Sequence, residues 1–243
     1  MKKVFFSFRK IMAVTVAVVA IAGVLSGCNK NDGVATRIPA SGLMVFNLAP
    51  DKEAIGVALS GNLINNLPLS YTSFNGTYQN IYTGTRSIEV FDLQDSVFAS
   101  SSFTFEDSNY YSLFITGNNG VYKAITVKDA IDSNATADKA YIRYINAIPD
   151  SSAPTVTVTA GGTNVANGAA AFNTVSNFIP VAAGDVKIAV TNGNAIAADR
   201  TVTLENGKVY TALLVGVPGT TDSAKRVQIR YITNGGVPAQ QEK

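Results

Sequence analysis

Two pairs of neighbouring carboxylates have the residue types and the spacing that could support hydrolysis. Asp92 lies close to Asp95, and Glu106 is followed by Asp107. Two carboxyl groups can divide the roles of general acid and nucleophile in the cleavage of a glycosidic bond. Both pairs fall in predicted turns, and the matching positions later in the chain hold Asn192, Ala195, Glu205 and Asn206. Because one half of the chain does without the pairs, turn chemistry is the simpler interpretation.

The composition excludes the commoner catalytic arrangements. The 243 residues contain no His and one Cys, so no Ser/His/Asp relay, no Cys/His pair and no histidine-bound zinc can form. The Ser-x-x-Lys spacing occurs only at residues 7–10, among the cationic residues at the start of the chain, and no Gly-x-Ser-x-Gly motif occurs. The sequence therefore predicts a protein that is not an enzyme and that carries no metal or cofactor.

Single carboxylates at two turns are candidate cation ligands. Asp51 and Asp150 each end an Asn-x-x-Pro-Asp element, and residues 132–138 (DSNATAD) imitate the start of a calcium loop. Calcium takes about six to eight oxygens, which one carboxylate per element cannot supply. The loop-like stretch lacks the central Gly, and Arg143 stands where the bidentate Glu should be. We interpret Asp51 and Asp150 as caps of strand-to-turn corners and residues 132–138 as a solvated linker.

The first 27 residues have the pattern of a secretory signal peptide. Four cationic residues precede residues 11–25, in which Thr15 is the only polar side chain. This apolar run is shorter than the roughly 20 residues that a membrane-spanning helix needs. Positive, apolar and small residues in this order are typical of a cleaved signal.

The signal ends in Leu25, Ser26, Gly27 and Cys28, which resembles the lipobox of bacterial lipoproteins. The resemblance implies cleavage before Cys28 and lipidation of this cysteine, which anchors residues 28–38 to a membrane as a polar tether. Asn29 follows the cysteine where an Asp would imply inner-membrane retention, so we expect the outer membrane of a Gram-negative bacterium. Whether the protein faces the periplasm or the outside stays open.

Cleavage of the signal changes the charge of the chain. The precursor has 19 Lys and Arg against 17 Asp and Glu, and the signal peptide holds four of the basic residues. The mature chain is therefore slightly acidic. No basic stripe remains for nucleic acid, and we expect no nucleic-acid partner.

The rest of the chain is a tandem repeat. Residues 45–51 (VFNLAPD) lie over residues 144–150 (YINAIPD) at an offset of 99, and further matches continue at offsets of 99 or 100. We place repeat 1 at residues 39–130 and repeat 2 at residues 140–234, with a linker at 131–139 and a tail at 235–243. At about 95 residues each repeat is long enough for a core, and we expect each to fold independently.

Both repeats have the pattern of short strands. Residues 155–159, 186–190 and 201–204 alternate apolar with polar side chains, and Gly-rich or Asn-rich turns separate them. No window outside the signal predicts an amphipathic helix. The pattern predicts an all-β chain of two tandem immunoglobulin-like antiparallel β-sandwich domains.

Several motifs of repeat 2 are similar to the family called domain of unknown function 4397. They are residues 143–150 (RYINAIPD), 156–158 (VTV), 179–184 (IPVAAG) and 210–216 (YTALLVG). Thr157 stands where the family often has Asp, and Met44 replaces the opening Arg in repeat 1. The resemblance implies secreted or surface lipoproteins with repeated β-sandwiches, and it implies no catalytic residues.

The repeats differ in their aromatic residues. Repeat 1 has 13 Phe and Tyr against 6 in repeat 2. Tyr82, Phe91 and Phe98 match Ala182, Thr191 and Ala198, so we expect these three aromatic side chains to form a binding surface rather than the central core. An enlarged core or a contact between the domains is the alternative.

These observations predict a non-catalytic lipoprotein of the cell envelope. We expect its two sandwiches to serve in binding or in structural or adhesive assembly, with an envelope protein or a glycan as partner. The alternatives are an accessory glycan-binding lipoprotein and a hydrolase that works without histidine.

Overall fold

The computed structural model describes residues 37–131, 135–150, 152–193 and 195–237. Within these ranges no helix is both long and apolar enough to cross a membrane. The predictions for the signal peptide, the lipobox residues Leu25, Ser26 and Gly27, and the lipidated Cys28 lie outside the described residues. The same is true of most of the predicted tether and tail.

The strands account for most of both repeats. In repeat 1 they are β1 (Ala40–Asn47), β2 (Ala54–Leu59), β3 (Asn62–Leu63), β4 (Leu69–Ser70), β5 (Gln79–Tyr82), β6 (Gly84–Phe91), β7 (Val97–Phe105), β8 (Tyr110–Asn118) and β9 (Val121–Lys128). In repeat 2 they are β10 (Ala140–Asn146), β11 (Thr155–Ala160), β12 (Thr163–Ala169), β13 (Ile179–Val181), β14 (Gly184–Thr191), β15 (Ala197–Leu204), β16 (Lys208–Val215) and β17 (Gln228–Gly236). A 3-10 helix, Ser223–Lys225, lies between the last two strands.

Each repeat is a sandwich of two sheets, which confirms the predicted all-β tandem fold. The inner sheets have the strand orders β5-β1-β8-β9 and β13-β10-β16-β17. The outer sheets have the orders β3-β2-β6-β7, with β4 also beside β2, and β12-β11-β14-β15. Most neighbours are antiparallel, but β1 runs parallel to β8, and β10 runs parallel to β16. Several strands separate the members of each parallel pair along the chain, so no tight hairpin constrains their direction.

The two kinds of sheet bury different numbers of faces. The outer strands β11 and β14 alternate, with Val156, Val158 and Ile188 buried between more exposed neighbours. The inner strands β8 and β16 are buried continuously over seven residues each. Continuous burial requires packing on both faces of a strand, so the inner sheets are covered on both sides.

The second face of each inner sheet packs against the other repeat. Met44 and Phe46 of β1 and Phe114 of β8 lie in one apolar cluster with Ile145 of β10 and Leu213 of β16. The neighbouring residues Leu43 and Val45 point the other way, into the core of repeat 1. We call this group the shared cluster; its remaining buried members are Leu48, Ala147 and Val215. The described residues from 39 onward accordingly form one compact unit.

A closed ring of polar side chains lies in the same interface. The Arg143 guanidinium forms an ion pair with Asp129, 2.7 Å from Nη1 to Oδ1, and the two side chains are 2% and 4% exposed. Arg143 Nε donates to Thr211 Oγ1, which donates to Asn234. Asn234 donates to the Tyr78 hydroxyl, which donates to Asp129 and closes the ring. This interface ring joins residues of both repeats.

The ring explains why Met44 replaces the opening Arg in repeat 1. Met44 occupies the position in β1 that Arg143 occupies in β10, and both are buried where the inner sheets meet. Asp129 supplies one buried carboxylate for one cation. A second Arg at position 44 would be buried there without a counterion, which is strongly unfavourable.

Described residues on both sides of repeat 2 pack against its sandwich. In the predicted linker, Ala135 is buried in a small cluster with Tyr141 and Val209. β17 continues to Gly236, which pairs with Lys208. The described part of the predicted linker and tail is therefore attached to the sandwich, whereas the limits of the domains stay a prediction.

Candidate binding surfaces at the ends of the two sandwiches

Phe91 lies on the outer face of repeat 1. It is the last residue of β6, half-buried, and pairs in register with Gly56 of β2 and Val97 of β7. Ile88 and Val90 on the same strand are fully buried in the core, in keeping with the alternation of a strand that is buried on one face. Phe91 therefore belongs to the outward set of the outer sheet.

An apolar row crosses this outer face at the level of Phe91. Leu63 of the edge strand β3 lies against Gly56, since a Cβ atom on that glycine would be 4.0 Å from Leu63 Cδ2. Leu63 and Val97 are exposed. We call Leu63, Gly56, Phe91 and Val97 the outer strip. The positions in repeat 2 that match Gly56, Phe91 and Val97 hold Thr155, Thr191 and Ala197, so the outer strip is a property of repeat 1.

Tyr82 does not join the outer strip. It ends β5 in the inner sheet and is 66% exposed. It precedes the start of β6, whereas Phe91 ends that eight-residue strand, so roughly 25 Å of strand separates the two side chains. The structure therefore places Phe91 and Phe98 near one end of repeat 1 and Tyr82 near the other.

Phe98 is the extra residue of a β-bulge. The pairing of β6 with β7 shifts between Val90↔Ala99 and Phe91↔Val97, whereas β14 pairs with β15 without a shift. The match of Phe98 with Ala198 is therefore wrong: Ala99 corresponds to Ala198, and Phe98 has no counterpart. A bulge inserts one residue into one strand of a pair, and this insertion changes the offset between the repeats from 100 to 99.

The bulge directs Phe98 toward other aromatic residues at the end of the sandwich. Its ring packs partly against the core of repeat 1 and stacks edge-on with Tyr122 at 4.8 Å. Lys52 Nζ lies 4.3 Å from the centroid of the Phe98 ring and 3.3 Å from Asp92 Oδ2. Phe98, Tyr122 and Lys52 thus close this end of repeat 1.

The carboxylates at the Phe98 end of repeat 1 stabilise turns by accepting hydrogen bonds. Asp51 accepts hydrogen bonds from the Asn119 amide at 2.8 Å and from the Tyr122 hydroxyl at 2.6 Å. Asp92 accepts from the amides of Gln94 and Ser96. The Ser96 amide is the largest cause that lowers the pKa of Asp92, and burial followed by the Asp51 hydrogen bond raises the pKa of Tyr122.

The second acidic pair, Glu106 and Asp107, also forms contacts within repeat 1. Glu106 is paired with Lys128 at 2.8 Å, and Asp107 accepts from the amide of Ala40. The Glu106 amide donates to the Tyr111 hydroxyl, five residues further on, and Glu205 and Tyr210 repeat this contact. A Tyr that bonds back to the backbone in this way fixes a corner of the sandwich.

The asparagine of the Asn-x-x-Pro-Asp element has the largest structural role in it. Asn47 is fully buried; its amide donates to the carbonyls of Lys52 and Leu69, and its oxygen accepts from Ala49. Asn146 makes the matching contacts in repeat 2 with Ala170 and Ile148. The repeated motif was visible in the sequence, but nothing in it separated the Asn from the more obvious Asp.

Repeat 2 has an open cleft where repeat 1 is closed. The β8–β9 connection is a tight turn, whereas β16 and β17 are joined by residues 216–227, which include the 3-10 helix. In repeat 2, Val227 occupies the position of Tyr122, and Ala198 occupies the position of Ala99. Repeat 2 has no counterpart of the inserted Phe98. The cleft has a volume of about 390 Å³ and is lined by Ala195, Ala197, Val217, Gly219, Thr220, Ser223, Arg226, Val227 and Gln228. No motif or pattern in the sequence predicts this cleft.

The exposed apolar side chains are distributed unevenly. Among the described residues, the large hydrophobic side chains that are exposed are Ile38, Leu63, Leu67, Tyr82, Leu93, Val97, Tyr110, Val121 and Tyr231. Tyr231 alone of these lies in repeat 2. In the same described ranges no three His, Cys, Asp or Glu residues are grouped so that they could hold a metal ion.

Fold and repeat structure define the chain as an all-β protein of two fused sandwiches. The family described as Domain of unknown function (DUF4397) matches residues 41–153 and 140–234. The chain belongs to this family. Among curated proteins, no relative matches it.

Solved structures show only a distant likeness. The Bacillus anthracis TIE protein is 13% identical with a TM-score of 0.27, over 74% of this chain and 34% of that protein. A candidate cell adhesion protein from Bacteroides eggerthii DSM 20697 is 10% identical with a TM-score of 0.23, over 83% of this chain and 96% of that protein. The chain thus spans about a third of the Bacillus protein, and at these TM-scores neither likeness bears on its function.

Proposed function

We propose that the protein is a non-catalytic lipoprotein of the cell envelope that binds through repeat 1. Lipid on Cys28 anchors the chain to the outer membrane, and the tether carries a body in which two sandwiches are fused. The observation that carries the proposal is the concentration of exposed apolar side chains in repeat 1, including the outer strip. Exposed apolar patches on a folded domain mark interaction sites.

The hydrogen bonds and ion pairs of the carboxylates support a role without catalysis. Asp51, Asp92, Glu106 and Asp107 accept hydrogen bonds from backbone amides or pair with lysines of the same repeat. A general acid or nucleophile must instead reach a substrate. We therefore assign binding or adhesive assembly, and not hydrolysis, to repeat 1.

The lipid anchor is tested by Cys28→Ala in the full precursor. The variant should lose diacylation and its partition into the membrane fraction, because stable attachment depends on the acyl chains. Membranes are washed with carbonate and assayed for the protein. Retention of the variant after this wash would contradict the anchor.

Binding is tested with Phe91→Thr, which copies Thr191 of repeat 2. We expect a loss of no more than about 1 kcal/mol of folding stability because Phe91 lies outside the core. Cells producing the variant should settle more slowly than wild-type cells in an aggregation assay. Tyr231→Thr is the matched control, since Tyr231 is the one large hydrophobic residue that is exposed in the described part of repeat 2. Equal settling of both variants and wild type would remove the adhesive role from the outer strip.

A further inference from the structure

The cleft of repeat 2 has a mixed lining that includes one cation. Four of its nine lining residues are alanine or valine, and the others include Thr220, Ser223, Gln228 and the exposed Arg226. Arg230 lies four residues further along the chain, in β17. Asp222, the nearest acid in sequence, is engaged in capping the 3-10 helix through the Ala224 amide. The cleft therefore fits a ligand that has an apolar group beside an acid.

The loop between β6 and β7 of repeat 1 presents such a group. Leu93 is 55% exposed, and Asp95 is exposed two residues later. The Asp92 carboxylate accepts from the amides of Gln94 and Ser96, and the Asp95 amide donates to the Asp92 carbonyl. These bonds fix the loop, so little conformational entropy is lost when it docks.

The charges of the two repeats are complementary. Repeat 1 has four Lys and Arg against eight Asp and Glu, whereas repeat 2 has seven against five. An acidic surface and a basic surface on one chain attract each other between copies. An exposed apolar side chain and a pocket elsewhere on the same molecule form a contact between unlike surfaces.

We propose that the cleft of repeat 2 receives the β6–β7 loop of a second copy of this chain. Leu93 enters the apolar part of the cleft, and Asp95 pairs with Arg226 at its rim. This inference does not depend on the outer strip or on adhesion between cells. A contact of one loop in one cleft is small, and small interfaces are transient, so the association is weak in solution and is favoured when copies are concentrated on one membrane.

Two variants each disable one side of the contact. Asp95→Lys disables the loop and leaves the cleft, and Ala197→Tyr fills the cleft and leaves the loop. Two further variants are controls. Glu205→Lys makes the same change of charge as Asp95→Lys but lies away from the loop, and Thr201→Tyr adds the same ring as Ala197→Tyr on β15 but away from the cleft lining. Arg226→Glu is a second cleft variant in case Ala197→Tyr does not fold.

Sedimentation velocity of the full mature chain in detergent, at up to about 1 mM, measures the association. Wild type and both control variants should associate with rising concentration, and each disabled variant should stay monomeric. An equimolar mixture of Asp95→Lys and Ala197→Tyr should recover a two-chain species, because each supplies the side that the other lacks. A wild type that is monomeric throughout, or disabled variants that associate like wild type, would overturn the proposal.

Discussion

Single residues explain why the same motifs recur in both repeats. Asn47 and Asn146 bind the backbone of their corners, and Tyr111 and Tyr210 bind the backbone five residues upstream. Arg143 differs, because it acts once per chain and joins the repeats. The motif residues are thus structural, and the surfaces that we propose for partners lie on residues that the repeats do not share.

Loss of the Arg143 cation should destabilise the protein strongly. In Arg143→Met the Asp129 carboxylate stays buried without its partner, and the removal of one member of a buried pair costs about 3–5 kcal/mol. Arg143→Met with Asp129→Leu removes both charges and should be more stable than Arg143→Met alone. Urea unfolding measures both, with the exposed Arg230→Met as control. An Arg143→Met variant within about 1 kcal/mol of wild type would show that the ion pair contributes little.

Tyr71 should make the protein sensitive to alkali. Burial raises the pKa of Tyr71 to about 12, and the Gly216 amide and the charge of Arg230 oppose this shift only in part. In the unfolded chain the tyrosine pKa is about 10. The stabilising contribution is therefore complete below pH 10 and is lost as the pH rises toward 12, because only the unfolded chain releases the proton.

Tyr71→Phe removes this titration and should flatten the fall in stability. Urea midpoints at pH 8 and at about pH 11 give the loss of folding stability between these two pH values for wild type and for the variant. Tyr78, whose pKa is also raised by burial and by Asp129, remains in both proteins. The two losses should differ, with the larger one in wild type. Equal losses would show that Tyr71 is not protected from ionisation.

At the scale of the element, the outer sheets could be predicted from sequence and the inner sheets only in part. β11, β14 and β15 alternate and were found within a few residues of their ends. The continuous apolar runs of β8 and β16 indicate burial on both faces, but a run cannot show that the other repeat covers the second face. The bulge at Phe98 could not be recognised from sequence, because the residues before it and the residues after it each still have the pattern of a strand.

Gly117, near the end of β8, and Gly216, directly after β16, should be difficult to replace. Both have positive φ, and a Cβ at Gly117 would lie 2.2 Å from the Val121 carbonyl oxygen, while one at Gly216 would lie 2.3 Å from the Arg226 carbonyl oxygen. Gly117→Ala must displace the β8–β9 hairpin and should cost about 2–4 kcal/mol. Gly84→Ala, where φ is also positive but no atom lies within 4 Å, should cost about 1–2 kcal/mol. Thermal unfolding of both variants should give the larger loss for Gly117→Ala.

At the scale of the whole molecule, the repeats are similar in fold and unequal in surface. The tandem fold and the excess of aromatic residues in repeat 1 could be predicted, because both are properties of the sequence. The cleft in repeat 2 could not, because it depends on how residues 216–227 pack. The shared cluster escaped prediction for the same reason, since Met44, Phe46 and Leu213 have the residue types of an ordinary core.

The shared cluster should hold the repeats together when the linker is cut. A protease site inserted at residues 132–134 allows the purified chain to be cleaved between the repeats. Separation would expose Phe46, Phe114 and Leu213, each worth about 1.5–3 kcal/mol of burial, and would break the interface ring. We therefore expect the fragments to elute as one species in size-exclusion chromatography, and Phe46→Asp to separate them. Fragments that elute apart and remain folded would show instead that each repeat is stable alone and that the interface contributes little to the stability of the chain.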